Sequence, residues 1–174
     1  MREGKNTAAT PAIPVEPLTT AERASDRELV VRRAFAAPAS VVFAAWSQAD
    51  LFRQWWVPKS CGLTLVACEM DVRVGGQYRL VFGFQDTTME VFGRYCEVTP
   101  PARLVWTNEE GDDGETITTV TFDQAGDSTV VAVRDVYASK EALEAAIASG
   151  ATSGLPESLD QLDEFLGQHR SGPA

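Results

Sequence analysis

Six segments of β-type sequence follow one another through the middle of the chain, with only short connections between them. They span residues 63–70, 76–84, 88–98, 103–109, 115–123 and 128–137. The connections are rich in Gly, Pro and Asp, which favour tight reversals of direction. A parallel crossover needs a dozen residues or more, so these connections require antiparallel neighbours. The sequence therefore predicts a large antiparallel sheet.

A seventh strand is predicted at residues 27–35, where Arg32 and Arg33 interrupt an apolar run. Charged residues within a strand discourage further pairing, which predicts an edge position in the sheet.

Two short helices are predicted between this strand and the next. Pro38 suits the first turn of a helix, because its missing N–H would be unsatisfied there in any case. A second helix ends near Trp56, since Pro58 stops it.

The last third of the chain changes from strand to helix periodicity. Leu155, Leu159, Leu162 and Leu166 recur at spacings of four, three and four, which predicts an amphipathic helix with one apolar stripe. The fold class is therefore α+β: a curved seven-stranded antiparallel sheet wrapped around a long C-terminal helix.

The predicted domain organisation is simple. Residues 1–26 contain three prolines and few large apolar side chains, so they cannot bury enough surface to offset the entropy of ordering. We interpret them as a flexible tail, followed by a single domain over residues 27–168 and a short tail at 169–174.

The charge of the chain excludes several function classes. A formal net charge of −10 and a pI near 4.5 disfavour binding to nucleic acid or to an anionic membrane surface. No apolar run approaches the roughly 20 residues of a membrane span, and no secretory signal is recognisable. The expected location is the cytoplasm.

Metal and cofactor sites are not predicted. Cys61, Cys68 and Cys96 form no CxxC pair, and the single histidine, His169, lies in the C-terminal tail. Structural zinc requires four closely spaced ligands. We interpret the cysteines as reduced, mostly buried thiols.

Alternation along the strands predicts an aromatic inner face. Strand 76–84 places Tyr78, Leu80, Phe82 and Phe84 on one side. In strand 128–137 the same rule turns Asp135 inward, where a carboxylate needs a partner. One helix about 10 Å wide cannot fill the concave side of seven long strands, so other side chains or a ligand must occupy the remainder.

Five motifs in order resemble one family. They are Pro38 with Val41-Val42-Phe43 and Trp46; Trp55-Trp56-Val57-Pro58; Asp71-Val72-Arg73-Val74-Gly75-Gly76; Gly93-Arg94-Tyr95-Cys96-Glu97-Val98; and Pro101-Ala102-Arg103-Leu104-Val105-Trp106-Thr107. Over residues 28–167 the chain resembles the helix-grip superfamily SRPBCC, which includes StAR-related lipid-transfer domains and polyketide cyclases. Within it, the chain is most similar to homologues of the activator of the ninety-kilodalton heat-shock protein ATPase.

The resemblance implies a long helix gripped by the sheet over an internal apolar cavity, and many members bind hydrophobic small molecules. The chain departs from the family pattern after Gly154, where a tryptophan is common and Leu155-Pro156 stands instead. The co-chaperone activity in the family name belongs to longer eukaryotic proteins with an additional N-terminal domain, so we do not expect it here.

The main hypothesis is therefore binding of an aromatic, polyketide-like or lipid-like small molecule in an internal cavity. Of the two adjacent tryptophans, we expect Trp56 to face the cavity. The predicted cavity residues are Trp56, Phe82, Phe84, Tyr95, Trp106, Val133, Leu155, Leu159 and Leu162.

Two alternatives belong to other function classes. A cyclase or aromatase requires a carboxylate or tyrosine with a perturbed pKa inside the cavity, but the sequence shows no nucleophile–base pair and favours binding over catalysis. A protein-interaction module requires a contiguous exposed apolar patch larger than about 600 Å², and no residue pattern supports such a partner.

Overall fold

The computed structural model describes residues 19–170, and within that range the chain forms eight strands and four helices. The strands are β1 (Thr20–Arg23), β2 (Glu28–Phe35), β3 (Thr64–Met70), β4 (Gln77–Phe84), β5 (Thr87–Thr99), β6 (Arg103–Asn108), β7 (Thr116–Ala125) and β8 (Ser128–Val136). The helices are α1 (Ala39–Ser47), α2 (Ala49–Phe52), α3 (Lys140–Ala148) and α4 (Leu155–Arg170), with a 3-10 turn at Lys59–Cys61.

All the strands of residues 19–170 belong to one antiparallel sheet, in the order β1-β2-β8-β7-β6-β5-β4-β3. This confirms the predicted α+β class, with two short helices after the strand at residues 28–35 and a long helix at the C-terminus. The sheet has one strand more than predicted, because β1 forms within the segment assigned to the tail. Most of that tail, and residues 171–174, lie outside the described residues.

The prediction that residues 27–35 form an edge strand is wrong. Strand β2 pairs with β8 on one side and with β1 on the other. Arg33 is buried, with 6% of its surface exposed, and its guanidinium contacts Asp160 and Asp163 of α4. The arginine whose charge suggested an exposed edge therefore forms ion pairs that join the sheet to α4.

Helix α4 buries the predicted apolar stripe against the sheet. Leu159 and Leu162 are completely buried, and Phe165 and Leu166 are buried beside them. These side chains belong to the same core cluster as Val31 and Val133 of the sheet. The helix therefore lies across the face to which these strands point their apolar side chains.

The cysteine prediction requires a correction. Cys61 and Cys96 are exposed, and only Cys68 is partly buried; burial raises the pKa of the Cys68 thiol. Over residues 19–170, no group of three or more His, Cys, Asp and Glu side chains is arranged to hold a metal ion. In the same range, no helix is both long and apolar enough to cross a membrane.

Candidate functional site

Two adjoining pockets lie between the sheet and the helices. Pocket A has a volume of about 290 Å³ and pocket B of about 430 Å³. Six residues line both pockets: Trp56, Phe82, Trp106, Asn108, Glu110 and Ala151. Ligand pockets in proteins generally measure about 300–1,000 Å³, so together these two have the size of a small-molecule site.

Aromatic rings form one wall of pocket A. We call this the aromatic wall; its members are Trp46, Phe52, Trp56, Tyr78, Tyr95 and Trp106. The ring centroids of Trp46 lie 5.8 Å from those of Trp56 and 6.1 Å from those of Trp106. Rings at such spacings are in van der Waals contact and stabilise one another beyond their buried area. The wall is therefore a packed and mainly apolar surface.

The two adjacent tryptophans have different environments. Trp55 is buried, and its indole N–H donates to the carbonyl of Ala45 at 3.1 Å. Trp56 is half-buried and lines both pockets. Helix α2 ends at Phe52, earlier than predicted, and the turn that follows directs the two rings differently.

Helix α4 fixes the segment that carries Trp56. The Ser158 hydroxyl donates to the Trp56 carbonyl at 2.6 Å. The Gln161 side-chain amide donates to the carbonyls of Trp55 and Val57, each at 2.8 Å. The position of the Trp56 ring therefore depends on polar residues of the helix as well as on its apolar stripe.

Small and aliphatic side chains line the helical side of pocket B. They are Ala146, Ala151, Thr152, Gly154, Leu155 and Ser158. Gly150 precedes this turn with a φ of 79°, a conformation that glycine adopts without steric cost. Leu155 is the largest of these residues, and none of them carries an aromatic ring.

A continuous set of hydrogen bonds crosses the sheet beside the pockets; we call it the polar chain. The Tyr78 hydroxyl lies 2.9 Å from the Asn108 Oδ1. The Asn108 amide donates to the Thr118 hydroxyl at 2.9 Å, and that hydroxyl donates to the Asp135 carboxyl at 2.6 Å. Tyr78 and Asn108 line pocket A, and Thr118 and Asp135 line pocket B. The chain thus links the polar groups of the two pockets.

Burial controls the acidity of the groups beside the pockets. Burial raises the pKa of the Asp135 carboxyl, and the hydrogen bond from Thr118 opposes this only in part. Asp135 retains some accessible surface because it lines pocket B. Burial also raises the pKa of Tyr78, and it raises the pKa of Tyr137 to about 12. In each of the three groups, burial therefore favours the neutral form more than it would be favoured in an exposed group.

Gly93 makes room for the Tyr78 ring. The two residues are paired across β4 and β5, and a Cβ atom at Gly93 would lie 2.9 Å from the Tyr78 ring and 1.8 Å from the Thr107 carbonyl oxygen. A residue with a side chain would displace the tyrosine from the position in which its hydroxyl reaches Asn108. The absence of a side chain at Gly93 is therefore required for the position of Tyr78 in the site.

Six of the nine predicted cavity residues line the pockets: Trp56, Phe82, Tyr95, Trp106, Val133 and Leu155. Their role in binding a ligand stays a prediction. Phe84 does not line a pocket; it is the last residue of β4 and is 46% exposed. Leu159 and Leu162 are packed completely within the core. Their correct assignment is to the hydrophobic core, because side chains enclose them on all sides.

Sequence reasoning missed most of the polar lining of the pockets. Asn108 and Glu110 lie at and just beyond the end of β6, where they resemble ordinary strand-end residues. Their place beside the pockets depends on the pairing of β6 with β7 and on the distant helix α4. Tyr78 was predicted on the inner face, but nothing in the sequence indicated its hydrogen bond to Asn108.

We expect Asp135→Asn to stabilise the protein at neutral pH by about 1 kcal/mol, the scale of a favourable single substitution. An unfolded aspartate ionises near pH 3.9, whereas folding raises the pKa of Asp135. Stability from the protonated carboxyl is thus complete below the unfolded pKa and is lost as the pH rises to the folded pKa. The gain in stability of Asp135→Asn over the parent protein should therefore increase as the pH rises from the unfolded pKa to the folded pKa. Below the unfolded pKa the gain should vanish.

Urea denaturation across this pH range measures the effect. Asp123→Asn, at an exposed position of β7, is the matched control and should stay within about 0.5 kcal/mol of the parent protein. An Asp135→Asn variant that is less stable than the parent at neutral pH would contradict the prediction.

Comparison with known proteins identifies relatives of this fold. The family model described as "Activator of Hsp90 ATPase homolog 1-like protein" matches residues 36–167. A solved structure of a Rhodobacter sphaeroides protein is 27% identical, covers 87% of this chain and 99% of its own, and has a TM-score of 0.79. No curated protein matches the chain.

Two more distant solved structures share the fold. A protein from Nitrosomonas europaea is 21% identical, with 86% of this chain and 99% of that one covered and a TM-score of 0.76. CalU16 from Micromonospora echinospora is 18% identical, with 86% and 84% covered and a TM-score of 0.57. At these identities the likeness shows the fold alone.

Proposed function

We propose that this chain, which belongs to the family of Activator of Hsp90 ATPase homolog 1-like proteins, binds a hydrophobic small molecule in the two pockets. The observation that carries the proposal is the pair of adjoining pockets of about 290 and 430 Å³ between the sheet and the helices. An aromatic, polyketide-like or lipid-like compound would bury its apolar surface there. Burial of apolar area contributes roughly 25 cal/mol per Å² to such binding.

The shape of the site supports a flat or elongated ligand. Trp56 and Trp106 line both pockets, so a molecule that spans the two would contact their rings along its length. Tryptophan presents a large apolar area with little conformational entropy to lose. The polar chain offers hydrogen-bonding groups beside this apolar surface, as ligand sites generally do.

A cyclase-type or aromatase-type enzyme is the second candidate. That hypothesis requires a titratable group of perturbed pKa beside the ligand, and Asp135 and Tyr78 meet the requirement. Turnover of a polyketide-like compound, lost on Asp135→Asn, would support it. The third candidate, a co-chaperone-like or other protein-interaction module, is an alternative that no residue pattern of the chain supports.

Amide NMR titration with flavonoid-like, polyketide-like and lipid probes tests the binding proposal. We expect the shifts to concentrate at residues of the pockets. Ala151→Trp should weaken binding at least about tenfold, or 1.4 kcal/mol, because Ala151 lines both pockets and a large ring there occupies ligand space.

Ala145→Trp is the matched control for this variant. Ala145 is exposed on α3 and does not line either pocket, so the same change there should leave the affinity within about twofold of the parent value. Shifts scattered over the exterior, or equal losses in the two variants, would overturn the proposal.

A further inference from the structure

The charged side chains that line the two pockets are all of one sign. Asp135 and Glu110 contribute carboxyl groups. Of the described residues, no lysine, arginine or histidine lines either pocket. A ligand carboxylate or phosphate would therefore approach like charges with no counter-charge to receive it, and such an arrangement disfavours binding.

Asp135 is the deeper of the two acidic groups, and its carboxyl lacks a cationic partner within residues 19–170. Its only hydrogen bond in that range comes from the Thr118 hydroxyl. A buried carboxylate without a counter-ion is costly unless something pairs with it. The group is thus placed to receive a positive charge from outside the chain.

The nearby arginines are engaged elsewhere. Arg134, next to Asp135 on β8, is exposed and pairs with Glu28 at 2.9 Å. Arg27 is exposed, and its Nε donates to the backbone carbonyl of Tyr137 at 2.8 Å. Neither guanidinium contributes to the lining of the pockets, so neither neutralises the carboxyl of Asp135 there.

Few other titratable groups face Asp135 from the elements packed against it. Tyr137, directly after the same strand, and Tyr78 of β4 interact with its charge. Its cross-strand neighbours are Thr118 on β7 and Leu29 on β2, and neither titrates. Glu110, the remaining charged group, is exposed and lies in the segment after β6.

The aromatic rings provide a second feature that suits a cation. Trp56 and Trp106 line both pockets, and therefore lie along the same space as Asp135. A positively charged group over the face of an aromatic ring is attracted by the ring quadrupole, and tryptophan attracts it most strongly. Tryptophan faces and a carboxyl are the combination by which proteins bind organic ammonium ions.

We infer that the ligand of these pockets is a hydrophobic amine, whose apolar part contacts the aromatic wall and whose ammonium group pairs with the Asp135 carboxylate. This inference rests on the proposed function and narrows it to a class of ligand. Neutral compounds of the same shape would bind more weakly, and anionic ones weakest of all.

Binding of such a ligand is coupled to proton release. Because burial raises the pKa of Asp135, the unliganded protein keeps a protonated carboxyl to a higher pH than it would with an exposed aspartate. An ammonium group beside it favours the ionised form. The Asp135 proton passes to the solvent as the ion pair forms, and the ammonium nitrogen keeps all of its own protons. A neutral ligand releases no proton by this route.

Calorimetric titration with three matched probes tests the inference. The probes are 2-(1-naphthyl)ethylamine, 2-(1-naphthyl)ethanol and 1-naphthaleneacetate, which share one ring system and differ in charge. We expect the amine to bind at least about tenfold more tightly than the alcohol, the carboxylate to bind weakest, and only the amine to release protons, as detected by repeating the titration in buffers of different ionisation enthalpy.

Asp135→Asn should reduce the ratio of alcohol to amine dissociation constants from about ten to about one. Its melting temperature at neutral pH reports whether the variant is folded. Asp123→Asn is the control: Asp123 is exposed and lines neither pocket, so the change should alter the ratio less than threefold.

The outcomes separate the inference from the proposed function. If the alcohol or the carboxylate binds as tightly as the amine, or if Asp135→Asn keeps the preference for the amine, the inference is wrong and the binding function stands. If none of the three probes binds and the wider NMR titration also shows no binding in the pockets, both are wrong.

Discussion

Leu162→Ala is expected to lower the free energy of unfolding by about 2–5 kcal/mol. Leu162 is completely buried between α4 and the sheet. Shortening the side chain to that of alanine forfeits the transfer free energy of three carbon atoms and leaves a cavity in the core. Urea denaturation measures the loss, provided that the slope of the unfolding transition is unchanged. Leu159→Ala should behave in the same way, since Leu159 is equally buried.

Glu164→Ala is the matched control on the same helix. Glu164 is exposed, and its nearest ion-pair partner, Lys59, lies 3.9 Å away. An exposed pair at that distance contributes little, so the variant should stay within about 0.5 kcal/mol of the parent protein. A loss of less than about 0.5 kcal/mol for Leu162→Ala would place α4 outside the core.

Gly93→Ala should be about as damaging, with an expected loss of about 3 kcal/mol. The added methyl group would lie 1.8 Å from the Thr107 carbonyl oxygen, which is a backbone atom and cannot rotate away. Strands β5 and β6 must separate locally to accept it. Because the Tyr78 ring also lies in the path of the methyl group, the substitution should weaken binding in pocket A as well.

For Gly167→Ala in α4 we expect the opposite result, a gain in stability. Among residues 19–170, no atom outside the adjoining backbone of the helix lies within 4 Å of a Cβ atom there, and alanine is favoured over glycine within a helix by roughly 0.5–1 kcal/mol. This variant should therefore be more stable than the parent. If Gly93→Ala were tolerated as well as Gly167→Ala, the close approach of β5 to β6 would not be a constraint on the sheet.

The sheet and the last helix follow from local features of the sequence. Alternation along strand 76–84 correctly places Tyr78, Leu80 and Phe82 inside, because side-chain direction in a strand depends only on parity. The leucine spacing of residues 155–166 correctly predicts α4, because side chains on one face of a helix recur every three or four residues. Both signals lie within a single element, so no knowledge of the rest of the fold is needed.

Predictions that depended on distant partners were less successful. Arg33 was interpreted as a mark of an edge strand, but its partners Asp160 and Asp163 are more than 120 residues away in sequence. Strand β1 was missed because its four residues, TAER, are all exposed and show no apolar pattern. Only pairing with β2 makes this segment a strand.

Predictions about the candidate site divide in the same way between features of a single element and contacts with distant residues. Parity correctly turned Asp135 toward the inside of the fold, yet Thr118 could not be identified as its partner without the register of β7 against β8. Periodicity also cannot distinguish a side chain that lines a pocket from one sealed beneath it. For that reason Leu155 and Leu162 were grouped together, although only Leu155 reaches a pocket.

The hydrogen bonds from Ser158 and Gln161 to residues 55–57 have a mechanical consequence. Through them the tryptophan segment and α4 form one unit, so neither can swing outward without the other. The residues between α3 and α4 hydrogen-bond to one another and to the last turn of α3, as Ser153 does with Gly150 and Ala151 with Ala146. Entry of a ligand by an outward movement of α4 would therefore require residues 55–57 to move with the helix.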